Sequence, residues 1–200
     1  MALLIPCAVS ALGQADYDSY TDLAADGWYR EYVEYMLEKG CMAGTSDGLF
    51  EPNGGVTYEQ TVQILYSAAG SPKVTSSATA DEEKTPALLW AFLSGLTGDT
   101  PDMTPDRLLT REQLACILWR NSGKQIVQTD LLADFSDADE VGEQARMAVN
   151  WAVSEGILIG TDTRKLLPQA EVTRVQCAAM LTRWQKAAEA IPVPDTNAVW

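Results

Sequence analysis

Histidine is absent from the 200 residues of this chain. Its absence excludes histidine-based general acid–base catalysis, Ser-His and Cys-His nucleophile activation, and imidazole metal sites. The four cysteines form no Cys-x-x-Cys pair, and the sequence contains no Gly-x-Ser-x-Gly motif and no phosphate-binding glycine loop. We therefore expect no catalytic residue, no metal and no cofactor. A glycosidase that uses two carboxylates is the enzyme class that these absences leave open.

Basic residues and long apolar runs are also scarce. The chain has 14 Lys and Arg against 28 Asp and Glu, which gives a net charge of −14. Nucleic-acid binding needs clustered basic side chains, so we expect no nucleic-acid partner. No stretch approaches the run of about 18 apolar residues that a membrane span requires, so we expect none. The apolar fraction of 46% is that of a globular chain with a real core.

The positions of the cysteines indicate buried side chains and not a reactive or metal-binding site. Of the four, Cys7, Cys41, Cys116 and Cys177, three lie within apolar helical patterns. We interpret them as buried thiols, since free cysteine behaves as a small apolar residue. A disulfide between Cys116 and Cys177 is the alternative, because both occupy equivalent positions of a repeated pattern.

One pattern of ten residues occurs three times. It reads VTYEQTVQIL at 56–65, LTREQLACIL at 109–118 and VTRVQCAAML at 172–181. In each copy a threonine is followed three residues later by glutamine, the capping box that begins a helix. Apolar or small residues then recur at helical spacing. The pattern predicts three capped helices, which begin after Thr57, Thr110 and Thr173.

A second helical segment and a loop precede each capped helix. These segments read REYVEYMLEKG, PALLWAFLSG and RMAVNWAVSEG, and each ends in a glycine suited to the left-handed residue after a helix. A proline five residues before each threonine fixes an extended approach to the cap. Trp90 and Trp151 lie on the apolar faces of their segments, so we place both in the core.

The repeated pattern divides the chain. We define a first unit (residues 16–70), a middle unit (79–123) and a third unit (130–190). Residues 1–15 are apolar, end in small residues and resemble the later part of a secretory signal. Residues 191–200 form a proline-containing tail that we interpret as a spacer.

The combined spacing resembles three tandem, partly degenerate S-layer homology (SLH) domains. The third unit is the most similar, with FSDADE, AVNWAVSEGILIG and VTRVQ. The first unit contributes YTD, EKGCMAG and VTYEQ, and the middle unit keeps LLWAFLSG and LTREQ. The resemblance implies an all-α fold in which three helix-loop-helix repeats take a pseudo-threefold arrangement around a central helical bundle.

The resemblance also implies a function. It describes a non-catalytic anchoring module, secreted to the cell wall or S-layer of a Gram-positive-type bacterium. Such a module binds secondary cell wall polymer, a peptidoglycan-linked glycan that often carries pyruvylated sugars, in grooves between repeats. The alternative is a degenerate array that acts in protein interaction or surface-layer assembly, with self-association. Tyr58, which replaces the arginine of the other two copies, favours that alternative.

Two arginines supply a physical reason for such a site. Arg111 and Arg174 directly follow capping threonines. We expect each guanidinium to stand beside unpaired N–H groups at the positive end of a helix dipole. Because a guanidinium can grip a carboxylate with two parallel hydrogen bonds, both arginines are candidate receptors for an acidic sugar.

The resemblance adds further glycan-binding candidates. It implies that Asp22 and Trp28 of the first unit and Asp137 of the third line the grooves. Trp28 could stack on a sugar face or could equally belong to the core. Gly44 and Gly160 match loop glycines that allow a ligand to approach the backbone closely.

Overall fold

The computed structural model describes residues 16–74, 85–98 and 104–190. The proposed signal remnant, Cys7 and the C-terminal tail lie outside these residues. The described part is helical and contains β structure only as isolated bridges, which confirms the predicted all-α class. None of its helices is both long and apolar enough to cross a membrane.

Each unit contains two α-helices separated by a loop, as the sequence predicts. Short 3-10 turns precede the first helix in the first and third units. The helices are α1 (Arg30–Glu38) and α2 (Tyr58–Ala68) in the first unit, α3 (Pro86–Leu93) and α4 (Arg111–Asn121) in the middle unit, and α5 (Arg146–Ser154) and α6 (Arg174–Ala190) in the third.

The helix boundaries follow from the residues predicted to set them. At α4 the Gln113 N–H donates to Thr110 Oγ1 (3.3 Å) and the Thr110 N–H donates to Gln113 Oε1 (2.9 Å). The same reciprocal bonds begin α2 and α6. The glycines that follow α1, α3 and α5 have positive φ angles, where glycine carries no steric penalty: Gly40 at 64°, Gly95 at 70° and Gly156 at 65°.

The residues before the three capped helices hydrogen-bond to one another. The Leu109 N–H donates to the Val56 carbonyl (2.9 Å), Val172 donates to Leu109 (2.8 Å), and Val56 donates to Val172 (3.2 Å). These three bonds close a ring that passes once through every unit. The described part of the fold therefore depends on all three units together.

The first N–H groups of each capped helix also donate to another unit. At α4 the N–H groups of Arg111 and Glu112 donate to the carbonyls of Ala170 and Pro168, both at 3.0 Å. The starts of α2 and α6 are closed in the same way, by carbonyls of the middle and first units respectively. Each helix start is thus a joint between two units.

Helix packing repeats this exchange. Helix α1 packs on α6, α3 packs on α2, and α5 packs on α4. The first helix of each unit therefore covers the second helix of another unit. Trp151 is buried in the core, and Trp90 is partly buried against it, as predicted.

The described cysteines are thiols. Cys41, Cys116 and Cys177 are buried and form no disulfide, so the alternative of a Cys116–Cys177 bridge is wrong. Burial raises the pKa of the Cys116 thiol to about 11 and that of Cys177 to about 12. Both side chains fill the apolar faces of their helices, as small apolar residues do.

Candidate ligand-binding groove

Arg111 connects the middle unit to the third unit. Its Nε donates to the Leu166 carbonyl (2.8 Å) and its Nη2 donates to the Ile159 carbonyl (3.0 Å). The residue is only 9% exposed. Burial, and then the nearby Arg183 guanidinium, lower the pKa of Arg111. The side chain therefore holds a loop of the third unit in place.

Arg174 makes the equivalent connection from the third unit to the first. Its Nε donates to the Phe50 carbonyl (2.7 Å) and its Nη2 donates to the Ala43 carbonyl (2.5 Å). The guanidinium carbon also lies 4.6 Å from the centre of the Phe50 ring. Both predicted arginines thus bind backbone carbonyls of a neighbouring unit.

This geometry corrects the expected receptor. The sequence suggested a guanidinium beside unpaired N–H groups, but carbonyls of the next unit already occupy the first N–H groups of α4 and α6. The helix dipole is therefore not open to a ligand. Since a guanidinium carries more donors than the two carbonyl bonds use, Arg111 can still donate from Nη1.

Asp22 and Asp137 have one common role in the structure. The Asp137 carboxylate accepts from the N–H groups of Leu166 and Leu167, both at 2.8 Å. Asp22 accepts in the same way from Phe50 (2.8 Å) and Glu51 (2.7 Å). Leu166 is therefore held by Asp137 at its N–H and by Arg111 at its carbonyl. The two aspartates position the loops that the arginines grip.

The environment of Asp137 favours its charged form. The residue is 3% exposed, and burial alone would raise the pKa of its carboxyl group. The N–H donors of Leu166 and Leu167, with the Asp137 N–H and the charge of Lys165, together outweigh burial and hold that pKa below its usual value. The buried charge is stabilised by the loop it organises.

The two loop glycines face aromatic rings of their own units. A Cβ atom at Gly160 would collide with the Phe135 ring, and one at Gly44 would collide with the Tyr20 ring. The Gly44 N–H also donates to the Tyr20 hydroxyl (2.9 Å). Absence of a side chain therefore allows internal packing at both positions.

Trp28, Arg111 and Gly160, one from each unit, line a single cavity of about 250 Å³. We call it the Arg111 cavity. Arg183 and Met180 of α6 and Ile159 of the third-unit loop complete much of its wall. Three residues that lie far apart in the sequence are thus brought to one place.

Trp28 is an exposed wall of this cavity. The side chain is 59% exposed and makes edge-on contacts with Tyr29 and Tyr32, at 5.6 and 6.3 Å between ring centres. Of the two roles left open for Trp28, the core role is wrong. Its indole can offer a face to a ligand.

Arg183 is a cavity residue that sequence reasoning missed. Its Nη2 donates to the Tyr32 hydroxyl (3.1 Å), and its guanidinium carbon lies 4.7 Å above the Tyr32 ring. The Arg111 cavity therefore has two guanidinium groups in its wall. The exposed carboxylate of Glu171 also lines it. The repeat could have pointed to Arg183, because an arginine stands ten residues after the capping threonine in two of the three copies, after Thr110 and after Thr173.

The other predicted residues do not join this cavity. Arg174, Gly44 and Asp22 gather around the equivalent loop of the first unit. Asp137 lies behind the third-unit loop, with its carboxylate on the backbone. The described residues contain no cluster of carboxylate and thiol groups able to hold a metal ion.

Helix pairs joined through their caps and loops define a helical repeat protein with ligand-sized space between units. Two segments, residues 19–62 and 134–176, match the family model of the S-layer homology domain. They fall in the first and third units, and the resemblance of the middle unit to that family stays a prediction.

Proteins of two kinds are similar to the chain. An amylopullulanase of Thermoanaerobacterium thermosulfurigenes is 25% identical over 175 residues, which is 83% of this chain and 9% of that protein. An S-layer protein of Bacillus thuringiensis subsp. finitimus is 25% identical over 194 residues, 92% of this chain and 23% of its own length. The S-layer protein sap of Bacillus anthracis is 24% identical over 209 residues, 99% of this chain and 25% of its length.

The chain spans a quarter or less of the length of these relatives. One relative is named as an enzyme and two as S-layer proteins. The matched part is therefore shared with proteins named for different roles.

Proposed function

We propose that this chain attaches the protein that carries it to the bacterial cell wall without catalysis. The ligand is a peptidoglycan-linked secondary cell wall polymer, and its acidic substituents, such as pyruvate ketals, bind in the Arg111 cavity. The observation that carries the proposal is the presence of two guanidinium groups, Arg111 and Arg183, in the wall of one cavity. The similarity to an S-layer protein and to an amylopullulanase supports an attachment module that proteins of different kinds can carry.

The charges of the cavity suit an anion. Arg111 is buried next to a second positive group, and both burial and that neighbour lower its pKa. A bound carboxylate would relieve this repulsion, and charge-assisted hydrogen bonds to it are stronger than neutral ones. The net charge of −14 does not prevent binding, since charges farther apart than about 8 Å are largely screened at physiological salt.

The remaining wall suits a sugar ring. Trp28 presents an exposed indole, and Ile159 and Leu167, 54% and 40% exposed, add apolar surface. The volume of about 250 Å³ lies just below the range of drug-sized ligand sites, roughly 300–1,000 Å³. The cavity therefore accepts one acidic sugar at a time, and a repetitive polymer offers many such groups.

Asp137 and Gly160 act on the site indirectly in this proposal. Asp137 holds the N–H groups of the loop whose carbonyls Arg111 binds, so it fixes the orientation of the guanidinium. Gly160 lets Phe135 pack beneath the same loop. The equivalent residues Asp22, Gly44 and Arg174 build a second candidate groove at the first unit.

Sedimentation with purified cell wall sacculi tests the proposal. We expect the wild-type chain to sediment with intact sacculi and to remain in solution when the secondary polymer has been chemically extracted. Trp28→Ala should weaken sedimentation, because it removes the exposed ring from the cavity. Phe92→Ala is the matched control, since Phe92 is 62% exposed on α3 and does not line the cavity. Equal sedimentation with and without the polymer would refute the proposal.

Assembly with other copies of the chain is the second candidate function. It is favoured by the first unit, where Tyr58 replaces the arginine of the other two capped helices and is buried. Light scattering on the purified protein tests this candidate. A concentration-dependent increase in mass in the absence of any polymer would support assembly over anchoring.

A further inference from the structure

The three capped helices differ at one equivalent position. Ten residues after the capping threonine stand Arg183 in α6, Arg120 in α4 and Ser67 in α2. Arg183 lines the Arg111 cavity and bonds to the Tyr32 hydroxyl. Arg120 and Ser67 hold the same position within α4 and α2, and neither acts in the same way.

In the middle unit this arginine is used by the fold. Arg120 Nη1 donates to the carbonyls of Leu96 (3.2 Å) and Thr97 (3.1 Å). Its guanidinium lies so close to Gly98 that a Cβ atom there would meet it at 2.5 Å. Arg120 thus binds carbonyls of the middle-unit loop, as Arg111 and Arg174 bind carbonyls of the other two loops. Tyr58, which stands where those two copies have arginine, has no guanidinium to do so. The Arg120 guanidinium is thus bonded to the loop of its own unit.

In the first unit the second guanidinium is missing. Arg174 binds the loop carbonyls there, but the neighbouring position on α2 is Ser67. The Ser67 hydroxyl accepts from Gln63 Nε2 (3.2 Å) of its own helix, and it carries no positive charge. Among the described residues, this groove offers an acidic ligand one guanidinium where the Arg111 cavity offers two.

We propose that the chain binds one acidic sugar, in the Arg111 cavity alone, with Arg183 as the second guanidinium that grips its carboxylate. In the middle unit Arg120 is bonded to the loop of its own unit, and the first unit has Ser67 in place of a second guanidinium. This inference rests on the proposed function and specifies its stoichiometry. Arg183 thereby decides which groove is used.

Isothermal titration calorimetry tests the inference. The probe is a monosaccharide glycoside that carries a pyruvate ketal, and we expect one bound molecule per chain. Arg183→Gln should weaken binding by roughly 10- to 100-fold, the loss expected for a charge-assisted hydrogen bond. Arg183→Lys keeps the charge but not the planar fork, so its affinity for the glycoside should lie between those of the wild-type chain and Arg183→Gln. Lys186→Gln is the control, because it removes a positive charge from the same helix outside the cavity wall.

The outcomes separate this inference from the proposed function. Two or more bound molecules per chain, or unchanged affinity in both Arg183 variants, would overturn the inference and leave wall attachment standing. A wild-type chain that sediments with sacculi but does not bind the glycoside would also overturn it, since the paired guanidiniums fit that single acidic group. Failure of the wild-type chain to bind either sacculi or glycoside would overturn both. If Arg183→Gln does not fold, the lysine variant and the stoichiometry decide the question.

Discussion

At the scale of single residues, the most informative positions are paired across units. Arg111 and Asp137 hold the two sides of Leu166, and Arg174 and Asp22 hold Phe50 in the same way. The sequence singled out all four side chains but could not reveal that their first partners are backbone groups. Hydrogen bonds to distant carbonyls leave no local signal, whereas the neighbouring threonine made the arginines stand out.

We expect Asp137→Asn to lower the free energy of unfolding near neutral pH. The free energy of unfolding of the variant should also fall less than that of the wild type when the pH is lowered. The native state holds the Asp137 pKa below its value in the unfolded chain, about 3.9. The stabilisation is therefore present above about pH 4 and is lost as the pH falls through the native pKa. Urea unfolding of wild type and variant at about pH 7 and pH 3 checks this, with exposed Asp162→Asn as the control. Equal differences between wild type and variant at both pH values would contradict it.

Arg174→Lys tests the structural role of the guanidinium. Lysine has no planar fork, so it should lose at least one of the bonds to Phe50 and Ala43. Hydrogen bonds to charged groups contribute about 1.5–3 kcal/mol, and we expect a loss of about 2 kcal/mol in the free energy of unfolding. Arg164→Lys, at an exposed position, should change it by less than about 0.5 kcal/mol. Similar stabilities of the two variants would remove Arg174 from the joint between units.

At the scale of helices, the sequence was a reliable guide. Threonine followed by glutamine predicted the starts of α2, α4 and α6, and the glycines predicted the ends of α1, α3 and α5. These signals are local, because cap and backbone donor lie within one turn. The N–H groups that donate to other units could not be foreseen, since their acceptors lie in separate parts of the sequence.

Thr110→Ala should destabilise the protein through the start of α4. The change removes the hydroxyl that accepts the Gln113 N–H, and loss of such a cap costs about 0.5–2 kcal/mol. Chemical unfolding followed by circular dichroism measures this cost. Thr45→Ala, which removes an exposed threonine outside any helix, is the control. A free-energy difference below about 0.5 kcal/mol would show that the carbonyls of Ala170 and Pro168 secure the helix start without the cap.

At the scale of the whole molecule, the units share their structure. The ring of bonds through Val56, Leu109 and Val172, and the packing of each first helix on another unit, join the units into one body. The repeat could be recognised from the sequence, but this exchange could not, because repetition does not specify which copies touch. The same exchange brings Trp28, Arg111 and Gly160 to one cavity.

Because hydrogen bonds and helix packing join the three units, we expect them to unfold cooperatively. We expect a single transition in urea, with the same midpoint for helix content and for tryptophan fluorescence, because no unit keeps its helix start closed alone. Substitution of Val172 by proline removes the N–H that donates to Leu109 and should lower the midpoint for every probe together. Separate transitions for the two probes would show that the units unfold independently.

The most direct test of wall attachment follows the indole N–H signal of Trp28 by nuclear magnetic resonance, assigned with Trp28→Phe, during titration with purified wall polymer. We expect this signal to shift and saturate with the native polymer, and to stay unchanged with polymer whose carboxyl groups have been reduced to alcohols. Binding that leaves the Trp28 signal in place, or an equal shift with the reduced polymer, would contradict a cavity that recognises acidic sugars.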